Sequence, residues 1–217
     1  DHIWMDGEFV DWQDAKVHVL THALHYGTGV FEGIRAYEHD GEPAVFRLDE
    51  HMERFVNSAK IINLDMEYSK DELIGAVEGT IEKNGLTDCY IRPLAYRGYG
   101  PMGVNPLENP VNVMIAVWPW GEYLGEGALE KGVEVQTSSW SRQHPNITPT
   151  KAKATGSYIN SVMAKMEALE NDYVESIMLN PNGFVAEGTG ENLFLVRDEE
   201  LYTSPKADVL EGITRDS

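Results

Sequence analysis

The sequence predicts a mixed α+β fold made of two domains. Runs of alternating apolar and polar residues, typical of short strands, dominate the chain, and segments with helical periodicity lie between them. A Gly/Glu-rich passage, GEYLGEGALEKG at 121–132, interrupts this pattern and is interpreted as the connection between domains. The expected division is therefore one domain at 1–120 and a second at 133–217.

The first domain is predicted to hold short strands and two helices. GEFVDW and PAVFR alternate like strands, and CYIRPLAYRG and NVMIAVWPW are typical of buried strands. The first helix, at 48–62, places four apolar residues on one face: Met52, Phe55, Ala59 and Ile62. The second, at 69–85, ends at Gly85, where a glycine commonly follows a helix.

The second domain is predicted to begin with a strand at 133–140, followed by a proline-studded loop at 142–156. A helix comes next, with one apolar side formed by Tyr158, Ile159, Val162, Met163, Met166 and Leu169. Four further strands are predicted in ESIMLN, GFVAEG, NLFLV and ELYTS.

Composition excludes several classes of protein. The net charge of −19 is spread over 217 residues, which argues against binding to nucleic acids or anionic membranes. No apolar run is long enough to span a bilayer, and no secretory signal peptide is expected. Cys89 is the single cysteine, so no internal disulfide can form and a cytoplasmic location is expected. Its apolar neighbours favour a buried, inert thiol over a nucleophile.

Two lysines, Lys151 and Lys153, lie two positions apart in the stretch TKAKATGSYINS. If this stretch is extended, their side chains point in opposite directions, so one can be buried while the other is solvated. A catalytic lysine must lose its proton for part of the cycle, which requires burial or a neighbouring cation. Taken alone, the stretch favours two solvated lysines over a catalytic one.

Three other stretches carry candidate binding groups. Glu187, in VAEGTGENLF, could pair with a cationic ring nitrogen or be a solvated acidic residue in a turn. The spacing of the glycines in this stretch does not fit a dinucleotide-binding motif. The Gly-Ile-Thr of LEGITRDS, at the start of a predicted helix, could offer backbone N–H groups to a phosphate. Tyr90 and Arg92 share one strand face and could clamp a carboxylate, although Arg92 could also be a surface residue.

The histidines His18, His22 and His25 do not predict a metal site. Their spacing would fit one helical face, but Gly27 and Gly29 follow closely and make a long helix unfavourable. No carboxylate falls in register with them, which argues against a metal hydrolase.

Taken in order, eight motifs strengthen one another: HALHYGTGVFEGIRAY, EHMERFVNSAKI, YIRPL, GVNP, WPWGEYLG, KATGSY, EGTGENLF and EGITRD. Over residues 3–217 the chain resembles the branched-chain amino acid aminotransferases, which are fold-type IV enzymes dependent on pyridoxal 5′-phosphate. The resemblance implies a smaller N-terminal α/β domain, a larger C-terminal mixed-sheet domain, and a homodimer or higher homo-oligomer. It also implies transfer of the amino group between branched-chain L-amino acids (Leu, Ile, Val) and 2-oxoglutarate.

The resemblance further implies roles for the matching residues. Lys153 leads the K-A-x-G-x-Y pattern and corresponds to the lysine that forms a Schiff base with the cofactor, whereas Lys151 falls outside that pattern. Glu187 corresponds to the partner of the pyridine nitrogen. Arg54, Ile213 and Thr214 correspond to ligands of the cofactor phosphate. Tyr158 corresponds to a tyrosine near the ring hydroxyl of the cofactor, and Asn192 to a residue that supports the cofactor site. Substrate-binding positions are Tyr26, Phe31, Gly33, Tyr90, Arg92, Val104, Trp120 and Tyr123, of which Tyr26 and Val104 would reach the neighbouring subunit's site.

These roles fit the chemistry of the side chains. Phe31, Trp120 and Tyr123 suit a branched aliphatic side chain. The resemblance implies that Tyr90, Arg92 and Tyr26 supply the polar groups for the distal carboxylate of glutamate. Related chains are longer, so a truncated large domain and a weakly active chain are expected if the chain ends at 217. Two alternatives remain open: a D-amino acid or (R)-amine transaminase of the same fold type, and a non-catalytic or truncated cofactor-binding protein.

Overall fold

The computed structural model describes residues 1–121, 124–125 and 127–217. The chain divides into two compact units. The first unit contains Asp1–Trp120 together with Ala152–Gly156, and the second contains Gly121–Lys151 together with Ser157–Ser217. The segment Ala152–Gly156 was expected in the second domain but packs with the first.

The first unit is built from seven strands and three helices among its described residues. The strands are β1 (His2–Met5), β2 (Glu8–Asp11), β3 (Gly29–Phe31), β4 (Ile34–His39), β5 (Glu42–Val45), β6 (Cys89–Arg97) and β7 (Val111–Trp118). The helices are α1 (His22–Tyr26), α2 (Leu48–Ile61) and α3 (Lys70–Asn84). The two long helices confirm the prediction, and α1 ends after five residues, at Gly27.

All strand pairs in this sheet are antiparallel, in the order β2-β1-β7-β6-β4-β5, with β3 also paired to β6. The central pair, β6 and β7, runs in continuous register from Tyr90↔Trp118 to Arg97↔Val111. Along β6, Cys89 and Ile91 are fully buried in the apolar core with Phe55 of α2 and Leu73 of α3. Because successive side chains of a strand alternate, Tyr90 and Arg92 share the opposite face, as predicted.

Helix α3 is defined by its caps. Ser69 accepts a hydrogen bond from the Glu72 backbone N–H while the Glu72 side chain accepts one from the Ser69 N–H, which forms a capping box. Gly85 follows the helix in the left-handed conformation, with φ of 63°. The predicted helix end at Gly85 is therefore confirmed.

The second unit holds helices α4 (Ala128–Lys131), α5 (Tyr158–Glu170) and α6 (Ile213–Asp216) among its described residues. Its strands are β8 (Val135–Thr137), β9 (Glu175–Leu179), β10 (Val185–Glu187), β11 (Phe194–Arg197) and β12 (Glu200–Thr203). Strand β9 lies between β8, which is parallel to it, and β10, which is antiparallel; β11 and β12 form a separate hairpin.

One prediction for this unit was wrong, and its long helix buries a side that the sequence pattern did not indicate. The strand expected at 133–140 is limited to β8: the Ser138 N–H still donates to the Ile177 carbonyl at 2.9 Å, but the Ser139 N–H donates to the Glu167 carboxylate at 3.0 Å instead of to a neighbouring strand. The apolar side of α5 is not its buried side: Ile159 is 62% exposed and Leu169 is 58% exposed. Small residues of α5 are buried instead, namely Ser161, Ala164 and Ala168.

Candidate active site

The backbone of Lys153 is fixed on the first unit at both of its polar groups. The Phe31 N–H donates to the Lys153 carbonyl at 3.0 Å, and the Lys153 N–H donates to Ser58 Oγ at 3.0 Å. The next residue, Ala154, forms an antiparallel bridge with Val30. The lysine segment therefore continues the sheet beside β3, which explains why Ala152–Gly156 belongs to the first unit.

Glycines permit this close approach. Gly27 has φ of 64°, and a Cβ added to it would lie 2.6 Å from the Gly156 Cα. The Gly156 N–H donates to the Gly27 carbonyl at 3.1 Å, and Thr155 Oγ1 donates to the same carbonyl at 2.8 Å. The HYGTGVFEG and KATG stretches are therefore two sides of one packed contact.

The side chains of the two lysines differ in their surroundings. Lys153 Nζ lies 5.1 Å from the centre of the Phe31 ring, within the range of a cation–π interaction. Lys151 Nζ forms an ion pair with Glu211 at 2.9 Å and donates to the Lys206 carbonyl. Lys151 thus serves as a surface link within the second unit.

The Phe31 ring is also covered by Arg92, whose guanidinium carbon lies 4.7 Å from the ring centre. Arg92 Nη2 donates to the Tyr90 hydroxyl at 2.8 Å. The Tyr90 ring packs against Trp120 at 4.4 Å between centroids. A Cβ added to Gly33 would lie 2.1 Å from the Tyr90 hydroxyl oxygen, so Gly33 provides the space that this hydroxyl occupies.

A buried carboxylate organises Arg54. Glu32 is 0% exposed and accepts hydrogen bonds from Arg54 Nε and Nη2, each at 2.7 Å, and from His51 Nδ1 at 2.8 Å. Burial alone would raise the pKa of Glu32. The hydrogen bonds from His51 and Arg54, with the charges of Arg54 and Lys153, outweigh burial and lower the pKa from 4.5 to about 2.

In the second unit, Glu187 lies at the end of β10 and is buried. Its Oε1 lies 2.7 Å from Arg142 Nη2, and its Oε2 accepts hydrogen bonds from Asn192 Nδ2 and the Leu210 N–H, each at 3.3 Å. Arg142 Nη1 donates to Ser161 Oγ at 3.0 Å, which anchors the guanidinium on α5. Arg142 and Asn192 together hold the Glu187 carboxyl group in place.

The remaining predicted cofactor residues of this unit lie at element starts. Tyr158 is the first residue of α5, and Ile213 and Thr214 open α6. Asn192 Nδ2 also donates to the Leu210 carbonyl at 3.0 Å, which ties the Glu187 turn to the segment preceding α6. Tyr123 falls outside the described residues.

Tyr26 and Val104, expected to act on a neighbouring subunit, are exposed: Val104 is 85% exposed and Tyr26 is 44% exposed. Tyr26 packs on the buried His22 ring, with 4.5 Å between centroids. His22 Nε2 donates to the Gly103 carbonyl at 2.8 Å, and its Nδ1 accepts from Thr28 Oγ1 at 2.8 Å. The His22 ring is therefore a structural link between α1 and the loop that carries Val104.

Across the described parts of the chain, no group of three or more His, Cys, Asp or Glu residues could hold a metal ion. No helix in the same regions is long and apolar enough to cross a membrane. Cys89 is fully buried, and burial raises the pKa of its thiol to about 11, as expected for an inert cysteine.

The sequence-based reasoning missed four residues that support the site: Glu32, His51, Ser58 and Arg142. The pair His51 and Arg54 carried a usable signal, since their three-residue spacing places both on one face of α2. Glu32, between Phe31 and Gly33, carried no periodic signal. Its role becomes visible only when α2 packs against the β3–β4 connection.

Known proteins provide an independent comparison. The sequence pattern of the amino-transferase class IV family matches residues 29–217. The chain is 52% identical over 219 residues to the branched-chain-amino-acid aminotransferase of Escherichia coli, covering 100% of this chain and 71% of that protein. It is 48% identical over 215 residues to the enzyme of the same name from Pseudomonas aeruginosa, covering 99% and 70%.

Solved structures agree with this grouping. The crystal structure of the E. coli branched-chain amino acid aminotransferase matches with a TM-score of 0.97 at 52% identity, covering 100% of this chain and 72% of that chain. The T.th. branched-chain amino acid aminotransferase with pyridoxamine 5′-phosphate matches with a TM-score of 0.95 at 53% identity, covering 99% and 71%. The same enzyme complexed with N-(5′-phosphopyridoxyl)-L-glutamate matches with a TM-score of 0.94 at 50% identity, covering 99% of this chain and 70% of that chain.

These likenesses span nearly the whole chain, and the predicted α+β, fold-type IV architecture is confirmed by them. The chain belongs to the class IV aminotransferases, as a member of the branched-chain amino acid aminotransferase family.

Proposed function

We propose that the protein transfers the amino group between branched-chain L-amino acids and 2-oxoglutarate, with pyridoxal 5′-phosphate held covalently at Lys153. The observation that carries this proposal is the docking of the Lys153 backbone onto Phe31 and Ser58, at 3.0 Å each. This docking gives one of two neighbouring lysines a fixed position, while the other forms surface contacts.

The chemical groups present fit the cofactor. Its aldehyde requires an amine, which Lys153 supplies; its ring nitrogen requires an acidic partner, which Glu187 supplies; and its phosphate requires a cation, which Arg54 supplies. Ile213 and Thr214 are proposed as further phosphate ligands by family resemblance, with Tyr158 at the ring hydroxyl. When bound, pyridoxal 5′-phosphate supplies a ring that accepts the electron pair left behind when the substrate's Cα proton departs.

Lys153 is proposed to move that proton. With the cofactor bound, Nζ would be the base that accepts the substrate's Cα proton and later returns a proton as an acid. Phe31 helps to position this amine: Nζ lies 5.1 Å from the centre of the Phe31 ring, and the Arg92 guanidinium carbon lies 4.7 Å from the same centre.

Glu187 is proposed to keep the ring nitrogen protonated, which requires the carboxylate form. Arg142 Nη2 lies 2.7 Å from one carboxylate oxygen, and Asn192 Nδ2 donates to the other. Both partners also restrict the rotation of the Glu187 side chain, so its orientation is set before any ligand arrives.

The substrate side chain is proposed to lie against Phe31 and Trp120, whose aromatic surfaces suit branched aliphatic groups. For glutamate, Arg92 and the Tyr90 hydroxyl offer charge-assisted hydrogen bonds to the distal carboxylate. Val104 and Tyr26, being exposed, are proposed to complete the site of a partner subunit in a homodimer or larger homo-oligomer.

An absorption spectrum tests the lysine assignment. Purified protein with added pyridoxal 5′-phosphate should show the near-visible band of the covalently held cofactor. Lys153→Ala should abolish this band, and Lys151→Ala, which removes only the surface contacts of Lys151 with Glu211 and Lys206, should keep it. Loss of the band in the Lys151 variant alone would contradict the assignment.

Substrate enantiomers test the reaction. L-Leucine with 2-oxoglutarate should give the 2-oxo acid of leucine and glutamate, with no product in Lys153→Ala. A reaction with D-leucine alone would instead support a D-amino acid transaminase, and cofactor binding without either reaction would support a non-catalytic protein.

A further inference from the structure

The cluster of Glu32, His51 and Arg54 has an unusual construction for an anion-binding arginine. Glu32 lies between β3 and β4, and its N–H donates to the Pro93 carbonyl at 2.9 Å, which fixes its backbone. Its carboxylate receives Arg54 Nε on one oxygen and Arg54 Nη2 on the other, each at 2.7 Å. This is a bidentate pair, the geometry that constrains a guanidinium most strongly.

A carboxylate beside an anion-binding arginine has a clear electrostatic cost. It neutralises the positive charge of Arg54 and would weaken attraction for a second anion. Glu32 must itself be desolvated, since its side chain is 0% exposed. Charge alone therefore does not explain why the pair is built here.

Orientation does explain it. The Nε–Nη2 edge of Arg54 faces Glu32, so an incoming phosphate must be met by the Nη1–Nη2 edge. The Arg54 side chain is 14% exposed, and the pairing sets the plane of its guanidinium. His51 Nδ1 donates to Glu32 Oε2 at 2.8 Å and so restrains the carboxylate in turn.

We propose that Glu32 is a positioning residue that, with His51 as its support, orients the Arg54 guanidinium for the phosphate of the cofactor. This inference rests on the proposed function, which assigns Arg54 to that phosphate. Glu32 acts through Arg54 and does not itself touch the cofactor.

The test compares two ligands that differ only in the phosphate. Dissociation constants are measured for pyridoxal 5′-phosphate and for pyridoxal with wild-type protein and with Glu32→Gln. Glutamine keeps the size of the side chain but places an N–H₂ donor where one acceptor oxygen stood. The variant should bind pyridoxal 5′-phosphate about 10- to 100-fold more weakly, the range for losing a charged hydrogen bond, with pyridoxal affinity within about twofold of wild type.

A matched control lies at the N-terminal end of the same helix. Arg47 and Glu50 form another Arg–Glu pair, at 2.8 Å, but on the surface. Glu50→Gln should leave the affinity for both ligands unchanged. Circular dichroism and thermal melts of each variant without cofactor check that the fold is retained.

Arg54→Gln separates failure of this inference from failure of the proposed function. If Arg54→Gln weakens pyridoxal 5′-phosphate selectively and Glu32→Gln does not, the positioning role is refuted while the phosphate role of Arg54 stands. If Arg54→Gln leaves the ratio of the two dissociation constants unchanged, the proposed phosphate role fails. Equal weakening of both ligands by Glu32→Gln would also overturn the inference.

A second pair of variants covers the case in which Glu32→Gln does not fold. His51→Asn keeps an N–H donor close to the position of Nδ1, whereas His51→Leu removes it. The leucine variant should lose affinity for pyridoxal 5′-phosphate selectively, and the asparagine variant should retain it. Equal behaviour of the two variants would refute the support role of His51 and, with it, the cluster mechanism.

Discussion

Gly33→Ala tests the packing of the proposed substrate pocket most directly. The added Cβ would lie 2.1 Å from the Tyr90 hydroxyl oxygen and 3.0 Å from its Cζ atom. Carbon and oxygen atoms rarely approach closer than about 3.3 Å, so the hydroxyl must move by about 1 Å. That movement breaks its 2.8 Å hydrogen bond from Arg92 Nη2.

The energetic terms can be set against one another. Overpacking of this kind costs about 1–3 kcal/mol, and loss of the partly exposed hydrogen bond costs about 0.5–1.5 kcal/mol. Alanine lowers the conformational entropy of the unfolded chain relative to glycine, which stabilises the folded state by about 0.4–1 kcal/mol. We therefore expect the free energy of unfolding to fall by about 1–3 kcal/mol. A displacement of about 1 Å in a catalytic pocket can cost up to about 100-fold in kcat/KM.

Urea unfolding and steady-state kinetics with leucine and with glutamate measure both effects. Gly75→Ala is the control: Gly75 lies exposed in α3 with no atom within 4 Å of the added Cβ, so we expect stabilisation by about 0.5–1 kcal/mol. Adding Tyr90→Phe to Gly33→Ala removes the oxygen and should recover part of the lost stability. The reasoning is refuted if Gly33→Ala is as stable as Gly75→Ala and retains wild-type kcat/KM for glutamate.

Three further predictions concern buried groups. Ser58→Ala removes the acceptor for the Lys153 N–H and should lower the free energy of unfolding by about 1–3 kcal/mol, with faster hydrogen exchange at the Lys153 amide; an unchanged exchange rate would argue against this anchor. The Cys89 thiol, with a pKa of about 11 because burial raises it, should react negligibly with a thiol reagent at pH 8 until urea unfolds the chain; prompt reaction in the native state would contradict its burial. Although burial opposes ionisation, the hydrogen bonds of Glu32 lower its folded pKa from 4.5 to about 2, so its contribution to stability is complete above pH 4.5 and disappears as the pH falls toward 2. Urea titrations across that range should therefore show a flatter pH dependence in Glu32→Gln, and an identical slope in both proteins would count against the ion pair.

The sequence pattern predicted those parts of the fold that depend on residues close together in the sequence. Helix α3 could be bounded because Ser69 and Gly85 define its ends locally. The buried side of α5 could not be predicted, since an apolar stripe shows where such residues lie and not which element covers them. Its Ala164 and Ala168 are fully buried, whereas Ile159 is 62% exposed.

The site shows the same limit. Resemblance alone singled out Lys153 over Lys151, and periodicity gave no sign that the lysine segment pairs with the distant strand β3. Glu32 has no sequence neighbour that reveals its function, because its partners lie 19 and 22 residues further along the chain. Residues that touch only other side chains are recognised when the fold brings those side chains together.

Three consecutive residues make three different contacts. The Phe31 ring packs against Lys153 and Arg92. Glu32 accepts hydrogen bonds from Arg54, and the absence of a side chain at Gly33 leaves space for the Tyr90 hydroxyl. All three contacts therefore depend on the position of one short stretch of backbone, from the end of β3 to the start of β4. A shift of this tripeptide would disturb the lysine, the arginine of the proposed phosphate site and the substrate pocket at once. Attempts to redesign substrate preference should therefore leave this tripeptide untouched and diversify Trp120 and Val104, where a change in one side chain need not alter cofactor affinity.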